Sequence, residues 1–180
     1  MNNEWLTISS ENVVENCHVT VKKDKVQLPD GAVIDDFYTV SIPDASLIVA
    51  LTSDGCVLLK SEYRYACQCN VIECPAGMVN PGEDPSETAR RELLEETGYE
   101  SSDWTYIGPS YESTSKLTNK MHLFLARGCR KVADQSLDEN EHIDVMKVPF
   151  DEAVDMVMRN EIKANSSAHA LLWVSRFIDS

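Results

Sequence analysis

Three glutamates in the middle of the chain, Glu92, Glu95 and Glu96, have the spacing at which helical side chains share one surface. Residues three and four positions apart are neighbours on an α-helix, so these carboxylates are expected to repel one another. A hard divalent cation would offset that repulsion, because Mg²⁺ takes oxygen ligands and commonly bridges carboxylates to substrate phosphates. A solvated acidic helix face would also explain the spacing. Metal-dependent chemistry at a phosphate is therefore one of two interpretations of these three residues.

The helix that would carry these glutamates can be delimited from the sequence. Asp84 is a good N-cap, Pro85 suits the first helical position, and Glu87 completes a capping box. Gly98 stands where a left-handed C-terminal cap is favoured. Together these residues predict a helix over Pro85 to Thr97.

The surrounding residues, from Gly77 to Tyr99, form a longer pattern that a solvated acidic face does not explain. It consists of Gly, five residues, Glu, seven residues, and then Arg-Glu-apolar-x-Glu-Glu-x-Gly-apolar, and every fixed position is met. A chance match to so many specified positions is negligible, unlike a match to a short motif. The pattern resembles the Nudix box of the Nudix hydrolases, a family that cleaves nucleoside diphosphates linked to another group.

The resemblance implies an α+β fold, an α/β/α sandwich whose mixed central sheet carries a catalytic loop-helix-loop. It also implies Mg²⁺ or Mn²⁺ as cofactor, with two or more ions. The three glutamates would face the metal, with Glu95 and Arg91 taking part in catalysis and Arg91 orienting the carboxylates. The backbone carbonyl of Ala76 would be a further metal ligand. Gly77 would shape the entry turn, and Glu83 would support the loop without reacting.

Segments outside the box are similar to the ADP-ribose pyrophosphatase branch of the family over most of the chain. They are Gln27-Leu28-Pro29-Asp30-Gly31, Glu62-Tyr63-Arg64-Tyr65 and Glu73-Cys74-Pro75-Ala76-Gly77. By this resemblance Arg64 and Glu73 would bind the substrate. An arginine suits that role because its planar guanidinium matches the geometry of a phosphate. An ordinary surface arginine on a strand is the alternative.

An acidic segment, Asp138 to Ile143, contains the Glu-x-Glu pair that closes over the metals in that branch. The resemblance assigns Glu139 as the general base on the attacking water and Glu141 as an outer metal contact. Two divalent ions would lower the pKa of the water and neutralise charge that develops on the phosphate. A solvated acidic loop is the alternative, since charge runs are common on protein surfaces.

The substrate expected from the resemblance is a nucleoside diphosphate sugar, first of all ADP-ribose, which would give AMP and ribose 5-phosphate. ADP-ribose hydrolases usually carry a proline downstream of the box, where this chain has Thr114 and Ser115. GDP-mannose, other nucleotide sugars or a dinucleotide therefore stay open. Two further alternatives are a sanitising nucleoside triphosphate pyrophosphohydrolase and a non-catalytic Nudix module that binds nucleotides. The intact set of glutamates disfavours the non-catalytic module.

Length and charge limit the classes of protein that fit. With 180 residues, 43% of them apolar, the chain can bury one good core. Its formal charge of −14 argues against binding to nucleic acid or to an anionic membrane. The sequence has no apolar run approaching the roughly 18 residues of a membrane span, and its first residues lack the features of a signal peptide. We therefore expect a cytoplasmic protein with a small-molecule partner and reduced cysteines.

Turn signals separate alternating or β-branched runs that predict strands. The predicted strands are Cys17–Val21, Asp36–Ile42, Ser46–Leu51, Cys56–Glu62, Trp104–Ile107, Lys120–Ala126 and Ile143–Val148. Two helices are predicted near Asp151–Arg159 and Ser166–Phe177, the second burying Ala168, Leu171, Leu172, Ser175 and Ile178. We expect an N-terminal β-strand region at residues 1–42 and a Nudix hydrolase domain at residues 43–180. The family resemblance further suggests a homodimer formed through the N-terminal strands.

Overall fold

The computed structural model describes residues 3–177, and these residues cluster into two units. The smaller unit combines the residues up to Pro43 with Tyr111–Lys120. The larger unit comprises Asp44–Ser110 and the described residues from Met121 onwards.

The segment Tyr111–Lys120 was expected in the larger domain, but backbone hydrogen bonds join it to the smaller unit. Val40 donates to the carbonyl of Lys116 at 2.8 Å and accepts from the N–H of Thr118 at 3.1 Å. Pairing between residues so distant in sequence leaves no local pattern that could have indicated it.

Three antiparallel strands form a sheet in the smaller unit, in the order β1 (Leu6–Glu15), β2 (Thr20–Gln27), β3 (Val33–Ser41). The predicted strand at Cys17 begins too early. Asn16 Oδ1 accepts hydrogen bonds from the backbone N–H groups of His18 and Val19, which turns the chain before β2 starts.

Among the described residues of the larger unit, eight strands form a mixed central sheet. The strands are β4 (Ala45–Thr52), β5 (Cys56–Arg64), β6 (Cys69–Glu73), β7 (Ala76–Met78), β8 (Tyr99–Glu100), β9 (Asp103–Ser110), β10 (Met121–Lys131) and β11 (Ile143–Pro149). The main path is β11-β5-β4-β10-β8, while β6 pairs with β5, β7 with β4 and β9 with β10. β4 and β10 run parallel, whereas the pairing of β5 with β4, β6 and β11 is antiparallel.

In the described part of the chain, three helices accompany this sheet: α1 (Pro85–Thr97), α2 (Phe150–Met158) and α3 (Asn165–Ser175). Successive side chains of a strand point to opposite faces, and β4 uses both faces for apolar packing. Ile48 belongs to the core that contains Leu93 of α1. Its neighbour Leu47 belongs to the core that contains Leu171 of α3. The sheet therefore has helices on both faces, and the predicted α/β/α sandwich is confirmed. Between residues 3 and 177, no helix is long and apolar enough to cross a membrane.

The buried face of α3 differs from the predicted one. Leu171 is buried as expected, but Leu172 is 38% exposed, and Ile178 lies outside the described residues. The buried positions are Ser166, Ser167, Ala170, Leu171 and Val174. Because this face begins with two serines, a search for apolar periodicity selects the wrong stripe of the helix.

Candidate active site

The backbone around α1 fixes where its acidic side chains lie. β7 pairs with β4 and leads into the loop before the helix. Asp84 then accepts a hydrogen bond from the backbone N–H of Ser86 at 2.8 Å and caps the helix. Gly98, with φ of 74°, ends the helix and donates to Leu94 O at 2.8 Å. Both predicted caps and the predicted bounds of this helix are therefore confirmed.

The packing of α1 against the sheet separates its glutamates by burial. Ala89 and Leu93 are completely buried and hold the helix on the sheet. Glu96 and Glu92 are 2% and 8% exposed, whereas Glu95 is half-buried. All three carboxylates line the same cleft, and they meet it at different depths.

This cleft has a volume of about 670 Å³ and a lining rich in charge. Its acidic residues are Glu62, Glu73, Glu92, Glu95, Glu96, Asp138 and Glu141, and its basic residues are Lys60, Arg64 and Arg91. An excess of carboxylates repels an anionic substrate and attracts cations. A phosphate could therefore bind here with the help of the arginines and of bound cations.

Arg91 connects the helix to the loop before it. Its Nη1 donates to Glu92 Oε1 at 2.6 Å and to Glu95 Oε2 at 3.0 Å. On its other side, Nε and Nη2 donate to the two carboxylate oxygens of Glu83, at 3.0 and 3.2 Å. The Arg91 hydrogen bonds, with one from the N–H of Asn80, hold the pKa of Glu83 down at about 2. Arg91 is thus placed to orient two of the glutamates. The Glu83 carboxylate is engaged by Arg91 and by the N–H of Asn80, and it stabilises the loop.

Burial shifts the protonation of the two inner glutamates. Loss of hydration raises the pKa of Glu92, and the charges of Glu95 and Glu141 act in the same direction. Burial also raises the pKa of Glu96 to about 7, although the Lys60 ammonium group opposes this shift. Bound cations would relieve the repulsion that Glu92 experiences from its neighbours.

Lys60 lines the cleft but is not among the site residues predicted from the sequence. Its side chain is 1% exposed and its ammonium group forms an ion pair with Glu96. Side chains alternate along β5, so Lys60 lies on the same face as the buried Leu58 and, further on, Glu62. The sequence does contain one signal for Lys60, because a lysine on an apolar face of a strand is expected to be buried. Its partner Glu96 lies in a distant part of the chain, so the ion pair itself has no local signal.

Arg64 and Glu73 meet across β5 and β6. Arg64 Nε donates to Glu73 Oε1 at 2.9 Å, Nη2 forms an ion pair with the same carboxylate, and Nη1 lies 3.1 Å from Glu62 Oε1. The Arg64 side chain is 40% exposed and borders the cleft. The structure therefore brings together the two residues predicted to bind substrate.

The acidic loop contributes to the cleft through residues other than the predicted base. The N–H of Asp138 donates to Glu141 Oε2 at 3.1 Å, and the N–H of Glu141 donates to Asp138 O at 3.0 Å. This tight turn presents Asp138 and Glu141 to the cleft. Glu139 is exposed at the tip of the turn and is not part of the cleft lining. Its assignment as general base stays a prediction.

The donor set of the cleft suits a hard divalent cation. Carboxylate oxygens are the preferred ligands of Mg²⁺ and Mn²⁺. Glu92, Glu95 and Glu141 all border the cleft, and the charges of Glu95 and Glu141 both act on Glu92. Within residues 3–177, however, no three acidic, histidine or cysteine side chains converge on a single cation position. The residues fit the ion by chemistry, and substrate phosphates would complete its coordination.

Comparison with known families agrees with this site. A family model described as NUDIX domain matches residues 42–173, and one described as nucleoside diphosphate sugar hydrolase N-terminal domain matches residues 5–40. The chain therefore belongs to the Nudix family, and it is an enzyme of that family, a Nudix hydrolase. The resemblance seen in the sequence is confirmed.

Individual relatives extend over nearly the whole chain. An ADP-ribose pyrophosphatase of Bacillus subtilis is 30% identical over 95% of this chain and 92% of its own length. A methanol dehydrogenase activator of Bacillus methanolicus has the same identity and coverage. A crystal structure of an ADP compounds hydrolase superposes with a TM-score of 0.84 at 22% identity, over 98% of this chain and 95% of that one. This last similarity supports the fold.

Proposed function

We propose that this chain hydrolyses the diphosphate bond of a nucleoside diphosphate sugar, with ADP-ribose, split into AMP and ribose 5-phosphate, as the expected substrate. The observation that carries the proposal is the cleft in which the box carboxylates of α1 and the arginine-carboxylate pair of β5 and β6 meet. The relatedness to an ADP-ribose pyrophosphatase over 95% of the chain supports the choice of substrate. The net charge of −14 supports a small-molecule substrate, handled in the cytoplasm, over a nucleic acid or a membrane.

Mg²⁺ or Mn²⁺ is the proposed cofactor, with Glu92, Glu95 and Glu141 as the residues that hold it. Divalent ions at this place would lower the pKa of the attacking water and neutralise charge on the diphosphate. Arg91 keeps Glu92 and Glu95 in position through one shared nitrogen, Nη1, so the two carboxylates move together. A set of ligands held in this way costs less to organise when an ion binds.

Arg64 is proposed to hold the diphosphate. Glu62 and Glu73 orient its guanidinium group before substrate arrives. Hydrogen bonds to charged groups are worth about 1.5 to 3 kcal/mol, so Arg64→Ala should lower kcat/KM by about 10- to 100-fold. Arg130→Ala is the matched control, because Arg130 also pairs with a glutamate but lies on the exposed part of β10.

A substrate panel tests the proposal as a whole. With Mg²⁺ present, kcat/KM is measured for ADP-ribose, GDP-mannose, a dinucleotide polyphosphate and the nucleoside triphosphates. We expect ADP-ribose to exceed every triphosphate. A higher value for a triphosphate than for each nucleotide sugar would replace this proposal with a sanitising pyrophosphohydrolase.

A homodimer formed through the smaller unit is a further part of the proposal. β1 is an edge strand of ten residues, all exposed, and Leu6 and Ile8 are 63% and 48% exposed. Long apolar edge strands are normally covered, because they otherwise pair with other chains. We expect light scattering to give the mass of a dimer, and Leu6→Glu with Ile8→Glu to give a monomer. Ser10→Glu, on the same strand, is the control and should remain dimeric.

A further inference from the structure

The buried position of Lys60 is unusual for a lysine. It lies inside the larger unit at 1% exposure, and an ammonium group without water must be matched by negative charge. Glu96, at 2% exposure, supplies that charge through Oε1. Burial of both partners makes this the best-shielded ion pair among those that the structure describes.

The Lys60 ammonium group is surrounded by oxygen atoms in the manner of a bound cation. Besides Glu96 Oε1, the carbonyl oxygen of Ala76 lies 3.4 Å from Nζ and Glu62 Oε2 lies 3.5 Å from it. Ala76 and Glu96 are two of the groups that the family resemblance implies as direct metal ligands. Here they face a lysine.

Glu96 has no carboxylate oxygen left without a protein partner. Oε1 accepts from Lys60, and Oε2 accepts from the backbone N–H of Ala76 at 3.0 Å. A divalent ion placed between the Ala76 carbonyl and Glu96 Oε1 would have to displace an ammonium group that is covalently attached to the chain and cannot diffuse away. Glu92 and Glu95 differ, because their shared partner Arg91 lies at 31% side-chain exposure and engages one oxygen of each.

We propose that Lys60 is a built-in cation, occupying the position between Ala76 and Glu96 that a divalent ion would otherwise take. The cleft then binds one divalent ion fewer than its carboxylates suggest. Ala76 and Glu96 hold the ammonium group of Lys60 and do not bind a metal ion directly. Lys60 in turn keeps these two groups in position, so it is a positioning residue. The inference rests on the proposed function, because it assumes that Glu92, Glu95 and Glu141 bind divalent ions.

Counting ions tests the inference without measuring hydrolysis. Mn²⁺ bound per chain is determined by electron paramagnetic resonance of free Mn²⁺, in the absence of nucleotide, for the wild type and for Lys60→Met. Methionine keeps much of the length of lysine and removes its charge. We expect Lys60→Met to bind one more Mn²⁺ per chain than the wild type, and Lys60→Met with Glu96→Gln to return to the wild-type number. Lys147→Met is the control, because Lys147 pairs with Asp54 on the surface. This variant should bind as many Mn²⁺ ions per chain as the wild type.

A second variant avoids the charge deletion at Lys60. In the wild-type background, Glu96→Gln should leave the number of bound Mn²⁺ ions unchanged, whereas a direct ligand role predicts the loss of one ion. Equal numbers in the wild type and in folded Lys60→Met, or a lost ion in Glu96→Gln, would overturn the inference. If the wild type and the variants bind the expected numbers of Mn²⁺ ions but the wild type does not hydrolyse nucleotide sugars, the proposed function is overturned and this inference is supported.

Discussion

Gly77 leaves the space that the Glu92 carboxylate occupies, since a Cβ atom at position 77 would overlap the carboxylate carbon and both of its oxygens. The strand β7 and the helix α1 can approach this closely because residue 77 has no side chain. Gly77→Ala should therefore displace Glu92 and lower kcat. A double-mutant cycle with Glu92→Ala checks the cause, because the unfolding free energy lost on Gly77→Ala should be smaller once the glutamate is absent. Equal losses in both backgrounds would show that the glycine serves another purpose.

Arg91→Lys should impair the enzyme although it preserves the charge. Lysine cannot reproduce the planar group that contacts Glu83 on one side and Glu92 with Glu95 on the other. Residues that orient metal ligands typically contribute about 10- to 100-fold to affinity or activity, so the Mn²⁺ concentration for half-maximal rate should rise by about that factor. Arg90→Lys is the control, because the adjacent Arg90 lies over the Trp104 ring and a lysine can keep that contact. A normal metal requirement in Arg91→Lys would contradict the orienting role.

Glu92→Gln should lower kcat strongly and leave the fold intact. Metal ions contribute several kcal/mol to such reactions, which corresponds to a loss of about a hundredfold or more. Glu87→Gln is the control on the same helix, since Glu87 is exposed and does not line the cleft. The measurement is kcat at saturating metal, with circular dichroism to verify folding. A kcat near the wild-type value in Glu92→Gln would exclude it as a metal ligand.

The free energy of unfolding of the metal-free protein should fall as the pH rises towards 7. The folded pKa of Glu96, at about 7, lies above the unfolded value of about 4.3, so the folded state binds more protons between these values. The stabilisation is complete below the unfolded pKa and is lost as the pH rises through the folded pKa. Denaturant titrations in EDTA at pH 5 and pH 7.5 measure this difference. It should be smaller in Glu96→Gln and unchanged in Glu87→Gln.

The sequence predicted the elements whose signals are local. The bounds of α1 were predicted correctly because Asp84, Pro85 and Gly98 specify its ends through their own backbone preferences. The strand β1 was missed, since all of its residues are exposed and the apolar alternation of Leu6 and Ile8 is not continued along the strand. Strands β6, β7 and β8 were missed as well, because each is five residues or shorter and gives too few side chains to define a period.

In the candidate site, too, the residues marked by a local pattern were predicted and those that depend on tertiary packing were not. The family pattern selected the carboxylates of α1 and Arg91, which the structure places in one cleft. Lys60 was not selected, because its position in an apolar stripe indicates burial, whereas its pairing with Glu96, which is far away in sequence, depends on tertiary packing. The place of Glu139 depends on how the loop turns, which the hydrogen bonds between Asp138 and Glu141 decide.

The identity of the general base can be decided between Glu139 and Glu95. The resemblance favours Glu139, whereas Glu95 lies in the cleft lining and is half-buried. A general base acts on water in the transition state, so its loss should lower kcat by about 10² to 10⁴-fold with little effect on KM. We expect Glu139→Gln to show this loss and Glu141→Gln to raise the Mg²⁺ concentration needed for half-maximal rate. If Glu139→Gln instead has the wild-type kcat while Glu95→Gln loses the acidic limb of the pH-rate profile, the base lies on α1. The acidic loop then contributes to the cleft through Asp138 and Glu141 alone.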